Sequence, residues 1–152
     1  MYPAGRVSGP GRKDRTANEL CPLEPEDEAL IAAARDVITR NYREERHTVG
    51  AAVRAASGQI YTGVNLETVG YGPCAEPVAV GAAISQGERA FTCIVAVNGW
   101  GDRQKPIPPC GNCRQFLMEY APDAWVILEH GGQLVKVRVR ELLPDPYLLF
   151  RP

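Results

Sequence analysis

Three cysteines and one glutamate are the residues of this chain that could do chemistry together. Cys110 and Cys113 are three positions apart at the start of a predicted helix, so both sulfurs face one way and can bind one tetrahedral ion. Cys74 precedes another predicted helix and can complete a set of three ligands. A structural zinc site is normally closed by a fourth Cys or His, so three ligands predict a catalytic site with one position left to water.

Glu76 lies two residues after Cys74, where its carboxylate can accept the proton of a water that the metal has made acidic. Cys-Ala-Glu at 74–76 followed by Pro-Cys-Gly-Asn-Cys at 109–113 is the signature of zinc-dependent base deaminases. A Cys-x-x-Cys pair alone would fit a redox role or a structural role equally well. The alternative to an enzyme is therefore a structural zinc module, which the open position and the nearby acid disfavour.

The negative charge of this predicted site has to be compensated. Zinc with three thiolates is net negative, which makes a bound water less acidic. The N-termini of the two helices that begin at the cysteines supply N–H donors and partial positive charge. Arg114, directly after Cys113, is a candidate for the remaining compensation, and its alternative is an ordinary surface position on the helix.

The elements that must position these residues follow from hydrophobic periodicity. In chain order the pattern predicts a helix from Glu26, strands over 49–55 and 59–64, a helix over 75–86, a strand over 91–97, a helix over 111–120, and strands over 125–129 and 135–139. This α-β-β-α-β-α-β-β order predicts a mixed sheet with helices packed on it.

The last two predicted strands are joined only by a short link, His130-Gly131-Gly132. So short a link makes a hairpin and not the crossover that a parallel pair requires, so these strands must be antiparallel, with His130 in the turn. Basic residues alternate with valines in the last strand and predict a solvated, charged sheet edge: Lys136, Arg138 and Arg140.

Composition limits the class of protein. With 152 residues the chain is long enough for one domain with a core, and 45% hydrophobic with 23% charged residues is typical of a soluble globular protein. Residues 1–22 lack periodicity and predict a disordered tail before a domain over 23–152. No apolar run is long enough to span a bilayer and the N-terminus has no secretion signal, which favours the cytoplasm.

The number of cysteines and the net charge limit which kinds of molecule or ion the chain is expected to bind. Five cysteines in a reducing compartment favour metal binding over disulfides; Cys93, inside a buried strand, is expected in the core, and Cys21 has no evident role. The net charge of −1 gives no reason to expect nucleic acid, which needs a clustered basic surface. A small neutral or weakly charged molecule fits better.

With these residues in view, the chain resembles the cytidine deaminase superfamily over roughly residues 26–147. Gly-Pro-Cys-Ala-Glu at 72–76, Thr-Cys-Ile-Val-Ala at 92–96 and Arg-Glu-Leu-Leu-Pro at 140–144 are similar to blasticidin S deaminase. Gly-Val-Asn-Leu-Glu at 63–67 resembles cytidine deaminases instead, and blasticidin S deaminase lacks that Glu. The resemblance implies a three-layer α-β-α fold with a five-stranded mixed sheet, a Zn2+ cofactor and a homotetramer.

The resemblance also assigns substrate contacts. Asn65 and Glu67 would hold a ribose hydroxyl, and the backbone N–H of Ala75 would contact the base carbonyl. The alternative for Asn65 and Glu67 is an ordinary turn with an exposed acid. His47 stands where cytidine deaminases have a Phe packed on the pyrimidine, and an imidazole can also stack on a base.

Two positions depart from the family pattern. Cytidine deaminases of this type usually have Arg directly after the catalytic Glu, where this chain has Pro77. Blasticidin S deaminase has Arg between its paired cysteines, where this chain has Asn112. Both arginines that would offset the thiolates are therefore missing, which directs attention to Arg114.

The reaction that the resemblance implies is hydrolytic deamination of a free cytosine nucleoside. Zinc-bound hydroxide would attack C4 of the base while Glu76 passes a proton to N3 and then to the amine, which leaves as ammonia. Cytidine, deoxycytidine, blasticidin S and modified cytosine nucleosides remain open as substrates. Antiparallel final strands go with the free-nucleoside branches of the superfamily, whereas polynucleotide and tRNA-editing branches have a parallel strand there.

Overall fold

The computed structural model describes residues 19–101 and 104–149. Within these ranges the helices are α1 Pro25–Asn41, α2 Ala75–Ser85 and α3 Gly111–Tyr120, followed by a short 3-10 helix, Val139–Glu141. The strands are β1 Val49–Ala55, β2 Ile60–Val64, β3 Phe91–Asn98, β4 Pro106–Ile107, β5 Trp125–His130 and β6 Gln133–Arg138. None of the described helices combines the length and the apolar character that crossing a bilayer requires.

The strands form one mixed sheet in the order β2-β1-β3-β5-β6, with β4 paired to β3 beside this path. Only β3 and β5 are parallel among the described pairs, and β5 and β6 are antiparallel, which confirms the predicted hairpin. Its turn residues Gly131 and Gly132 both have positive φ, as a two-residue hairpin turn requires. The sequence analysis missed β4 because two residues among prolines show no periodicity.

Two cores lie on opposite faces of the sheet, which makes the predicted three layers. On one face α2 and α3 pack on alternate residues of β1 and β3, among them Val53 and Ile94. On the other face α1 packs on the intervening residues, among them Ala52 and Val95. The continuous apolar run of β3 is explained because both of its faces are buried. Cys93 is a core residue as predicted, and burial raises its pKa to about 12.

A close approach of β2 and α2 determines where the first turns of α2, which carries Glu76, lie against the sheet. A Cβ atom on Gly63 would lie 2.5 Å from the backbone nitrogen of Ala79, which no real side chain tolerates. Glycine at this position therefore lets α2 lie directly against β2, one turn after the residues that begin the helix.

The expectation of a solvated basic edge is wrong for Lys136, whose side chain is buried. Its Nζ lies 2.6 Å from Glu24 Oε2 and 3.0 Å from Asp27 Oδ2, and Asp27 also lies 3.4 Å from Nη1 of Arg54. Burial opposes the charge on both buried partners, but their hydrogen bonds and attraction dominate: the pKa of Asp27 is lowered and the pKa of Lys136 is raised. Next to them, the Arg138 guanidinium stacks on Trp125.

The same edge is covered by the chain segment before α1. The N–H and carbonyl of Cys21 pair with the carbonyl and N–H of Lys136 at 2.9 and 2.8 Å, as in an antiparallel ladder. The end of the predicted tail over 1–22 therefore belongs to the sheet of the domain. Residues 1–18 lie outside the described residues, and the prediction for them stays a prediction.

Candidate active site

The three cysteines lie at the N-termini of two helices on the same face of the sheet. Cys74 is the N-cap residue of α2 with φ −64° and ψ 165°, and Cys110 is the N-cap residue of α3 with φ −67° and ψ 170°. Cys113 lies in the first turn of α3. All three Sγ atoms lie within 4.8 Å of one another, so the structure brings the predicted ligands together.

The geometry of this thiol cluster fits a zinc ion. A tetrahedral ion with Zn–S bonds of about 2.3 Å holds its sulfurs about 3.8 Å apart. Cys74 Sγ and Cys110 Sγ are 3.6 Å apart. Cys113 is fully buried whereas Cys110 is exposed, so the cluster lies between the core and the surface. Among the described residues, the cluster contains these three possible ligands. The donor set therefore suits zinc with three protein ligands.

The acidity of the thiols shows why a cation belongs here. Burial and the neighbouring carboxylate of Glu76 raise the pKa of Cys113, and burial together with a hydrogen bond to Cys110 raises the pKa of Cys74. Burial also opposes ionisation of Cys110, but backbone N–H groups at the start of α3 and the neighbouring thiols lower its pKa below the ordinary value. Three thiolates together would need a divalent ion between them.

Glu76 is buried beside this cluster, in the first turn of α2. Its Oε2 accepts a hydrogen bond from Cys113 Sγ at 3.2 Å. Burial raises its pKa, although hydrogen bonds from its own backbone N–H and from Cys113 favour the charged form. Pro77 follows without strain because the N–H groups of a first helical turn have no partner within the helix. The structure therefore places a buried carboxylate in contact with one thiol of the cluster.

A cavity of about 200 Å³ opens over the cluster. Its wall contains three of the predicted substrate contacts together with Glu76 and two of the cysteines: Asn65, Glu67, Ala75, Glu76, Cys74 and Cys110. It also contains residues that the sequence analysis missed: Thr48, Val49, Gly72, Pro73, Ile107 and Pro108. Gly72 and Pro73 belong to the Gly-Pro-Cys-Ala-Glu motif at 72–76, whereas no motif in the sequence marked Thr48, Val49, Ile107 or Pro108.

Asn65 is buried and its side-chain amide is committed to protein groups. Its Oδ1 accepts hydrogen bonds from the backbone N–H groups of Thr48 at 2.7 Å and Val49 at 2.9 Å. Its Nδ2 donates to Glu67 Oε1 at 2.9 Å. Asn65 therefore fixes the direction of the Glu67 carboxylate, which is itself exposed at the cavity.

His47 lies behind Asn65 and is not among the residues of the cavity wall. Its Nδ1 is 2.9 Å from the carbonyl oxygen of Asn65, so this nitrogen carries the hydrogen and donates. The prediction that His47 stacks on the base stays a prediction, and the contact that the structure shows is to the backbone carbonyl of Asn65.

Arg114 contacts main-chain carbonyls and shows no contact with a thiol within the described residues. Its Nε donates to the carbonyl of Pro109 at 2.9 Å, and its Nη1 donates to the carbonyl of Leu142 at 3.0 Å. The guanidinium thus joins the residue before Cys110 to the segment after the 3-10 helix. The predicted role of Arg114 in offsetting the thiolate charge stays a prediction.

Replacing Arg114 with alanine should lower zinc affinity or kcat/KM by about tenfold, because the loop before Cys110 loses its anchor and a nearby positive charge. Competition for zinc with a chelating dye and steady-state kinetics measure both quantities. Arg40→Ala, which removes an exposed arginine of α1, is the matched control and should change neither. Unchanged zinc binding and kinetics in Arg114→Ala would show that this residue has no role at the metal site.

Comparison with known proteins places the chain among deaminases. A family model described as the cytidine and deoxycytidylate deaminase zinc-binding region matches residues 24–129. The chain is 39% identical over 132 residues to a blasticidin-S deaminase of Bacillus cereus, which covers 82% of this chain and 94% of the relative. It is also 39% identical over 106 residues to a cytidine deaminase of Halalkalibacterium halodurans, with 67% and 78% covered.

Solved structures agree with this placement. The crystal structure of a cytidine deaminase from Mycobacterium tuberculosis superposes with a TM-score of 0.68 at 31% identity, covering 83% of this chain and 100% of that one. A cytidine deaminase from Burkholderia pseudomallei gives a TM-score of 0.65 at 32% identity, covering 79% of this chain and 98% of that one. Both the fold and the sequence thus point to the same family.

Proposed function

Since this chain belongs to the cytidine and deoxycytidylate deaminase family and is a zinc-dependent hydrolytic deaminase, we propose that its substrate is a free cytosine nucleoside, converted to the uracil nucleoside and ammonia. The observation that supports this substrate is one cavity lined by two chemically different groups. Cys74 and Cys110 of the thiol cluster line it together with Glu76, and the Glu67 carboxylate also lines it. A base bound at the thiol cluster would place its sugar towards Glu67.

At the metal end we propose that Cys74, Cys110 and Cys113 hold zinc. When bound, zinc supplies an acidified water as the nucleophile. Glu76 accepts one proton from the nucleophilic water and delivers it to N3 of the base; it then accepts the second proton of that oxygen, now bonded to C4, and delivers it to the amine, which leaves as ammonia when its bond to C4 breaks. The N–H of Ala75, at the start of α2, donates to the base carbonyl and orients the ring. The helix N-termini and the anchored Arg114 offset the thiolate charge in place of the arginines that Pro77 and Asn112 replace.

At the sugar end we propose that Glu67 accepts a hydrogen bond from a ribose hydroxyl. Asn65 Nδ2 holds this carboxylate, so the acceptor is fixed before substrate binds. The second candidate is deamination of blasticidin S, which the 39% identity to the Bacillus cereus protein favours. The sugar of blasticidin S carries a carboxylate, which the negative charge of Glu67 would repel unless a cation lies nearby.

Replacing Glu67 with alanine should reduce kcat/KM for cytidine by about ten- to a hundredfold, because a charge-assisted hydrogen bond contributes roughly 1.5 to 3 kcal/mol. Asn65→Ala should have a similar effect because it releases the carboxylate. Free cytosine offers no hydroxyl, so it should be a poor substrate for the wild type and both changes should hardly affect it. The loss of cytosine absorbance and the release of ammonia measure turnover.

The same assay decides between the two candidates when deoxycytidine, cytidine monophosphate and blasticidin S are added to the panel. Faster turnover of blasticidin S than of cytidine, together with unchanged cytidine kinetics in Glu67→Ala, would contradict the proposed ribose contact. Glu119→Ala, which removes an exposed acid near the end of α3 that is not among the residues of the cavity wall, is the control for loss of a surface carboxylate.

We also propose that the chain assembles as a homotetramer and acts in the cytoplasm. Large apolar side chains are exposed beside the cavity and in the last described segment, and burial between subunits would remove them from water: Leu66, Val69, Tyr71, Tyr147 and Leu149. Free thiols at a metal site suit a reducing compartment. A monomeric molar mass in light scattering would refute the homotetramer. Recovery of the protein outside the cytoplasmic fraction would refute the location.

A further inference from the structure

The turn between α1 and β1 is a rigid structure that the proposed reaction does not use. Arg43 and His47 pair as an antiparallel bridge, with N–H to carbonyl distances of 3.0 and 2.8 Å. Between them Glu45 has φ 61°, in the left-handed region that residues other than glycine rarely adopt. A non-glycine residue keeps this conformation only where its surroundings enforce it, so the turn is held in one shape.

This turn is hydrogen-bonded to both peptide groups of Glu67, the residue proposed to bind the sugar. The carbonyl of Arg46 accepts a hydrogen bond from the Glu67 N–H at 3.2 Å. Nη1 of Arg46 donates to the Glu67 carbonyl at 3.1 Å. One residue of the turn therefore holds the backbone on either side of the Glu67 side chain.

The next residues of the turn hold Asn65 in the same way. His47 Nδ1 donates to the Asn65 carbonyl, and the N–H groups of Thr48 and Val49 donate to its Oδ1. Four consecutive residues, 46–49, thus each bond to Asn65 or Glu67. Since β2 ends at Val64, the segment 65–67 lies outside the named strands. It is held by these contacts together with two backbone hydrogen bonds, from Asn65 N–H to the Val49 carbonyl and from Leu66 N–H to the Pro73 carbonyl.

We propose that Arg46 and His47 are positioning residues that hold the Glu67 carboxylate at the site of the sugar hydroxyl and so determine selectivity for hydroxylated sugars. This inference rests on the proposed function, in which Glu67 binds ribose. The physical reason is that a hydrogen bond weakens steeply with distance and angle, and a displacement of about 1 Å can cost on the order of a hundredfold in rate. Neither residue needs to contact the substrate.

The test compares cytidine with 2′,3′-dideoxycytidine, which has the same base but neither ring hydroxyl. Arg46→Met keeps the length of the side chain and removes its donors, so kcat/KM for cytidine should fall by about tenfold, mainly through KM. His47→Leu, which removes the Nδ1 donor to the Asn65 carbonyl without introducing an aromatic ring, should act in the same direction. The dideoxy substrate should change by less than about twofold in both variants, because the lost bond belongs to the sugar.

The chain offers a matched control in the same turn. The Arg43 side chain makes no hydrogen bond or ion pair among the described residues, so Arg43→Met removes the same charge without releasing Glu67. It should leave both substrates unchanged. Arg46→Lys keeps a donor for the Glu67 carbonyl and should recover most of the loss.

A double variant separates positioning from support of the fold. In a Glu67→Ala background, Arg46→Met should have little further effect on cytidine, because its target is already gone. Equal losses on both substrates, or full additivity with Glu67→Ala, would overturn the inference. If the wild type turned over no nucleoside, the proposed function would be overturned and this inference with it. If cytidine kinetics depended on Glu67 but not on Arg46 or His47, only the inference would be overturned.

Discussion

Glu76→Ala should lower kcat for the best nucleoside by on the order of a hundredfold or more while zinc content stays at the wild-type level. Glu76 lies against Cys113 but supplies no ligand atom to the three-thiol cluster, so the metal site does not need it. The proposed reaction needs it twice, because each of the two protons of the attacking water passes through its carboxylate. Burial raises its pKa, which favours uptake of each proton from the water oxygen.

Glu76→Gln is the sharper variant because it keeps the size of the side chain and loses only the ability to transfer protons. Single-turnover kinetics and metal analysis of the same preparation give both quantities. Turnover within about tenfold of the wild type in Glu76→Gln would show that another group moves the protons. Loss of zinc together with a loosened fold, with no substrate converted by the wild type, would favour a structural zinc module.

Cys110→Ala and Cys113→Ala should each abolish zinc binding, from about one ion per chain to less than about a tenth at the same free zinc concentration. Two thiolates without a third leave too weak a site to retain the ion through purification. Cys110 is the more informative position because its side chain is exposed, so its removal leaves no cavity in the core. Activity should disappear with the metal and should not return when zinc is added in modest excess.

Cys21→Ala is the control, because Cys21 pairs with Lys136 only through its backbone and lies outside the cluster. It should keep zinc and activity. Full zinc retention in both Cys110→Ala and Cys113→Ala would contradict the assignment of the ligands, whatever the activity of the variants.

The predictable part of this protein is the part encoded over short distances along the chain. The spacing of Cys110 and Cys113 within one helical turn is local, and so is the position of Glu76 after Cys74. The hairpin of β5 and β6 follows from a link too short for any other connection. Each of these features could be read without knowing what packs against it.

The features that could not be predicted depend on contacts between distant segments. Alternation identified the face of β6 that carries Lys136, but only the fold shows that Asp27 at the start of α1 lies over this face. Arg114 follows Cys113 in sequence, yet adjacent residues of a helix point about 100° apart, so its side chain turns to Pro109 and Leu142. The contact of His47 with Asn65 likewise arises only when β1 and β2 are paired.

The position of the cysteines has a consequence for how long each molecule survives. Cys74 and Cys110 are 36 residues apart and cap two helices that make few contacts with each other. A metal ion that binds the thiols of the folded chain and not of the unfolded chain stabilises the fold, by about 2.7 kcal/mol at a free concentration of 100 times Kd. We therefore expect a chain that has lost its metal to be open to proteases more often, and the cellular level of this enzyme to fall when zinc is scarce.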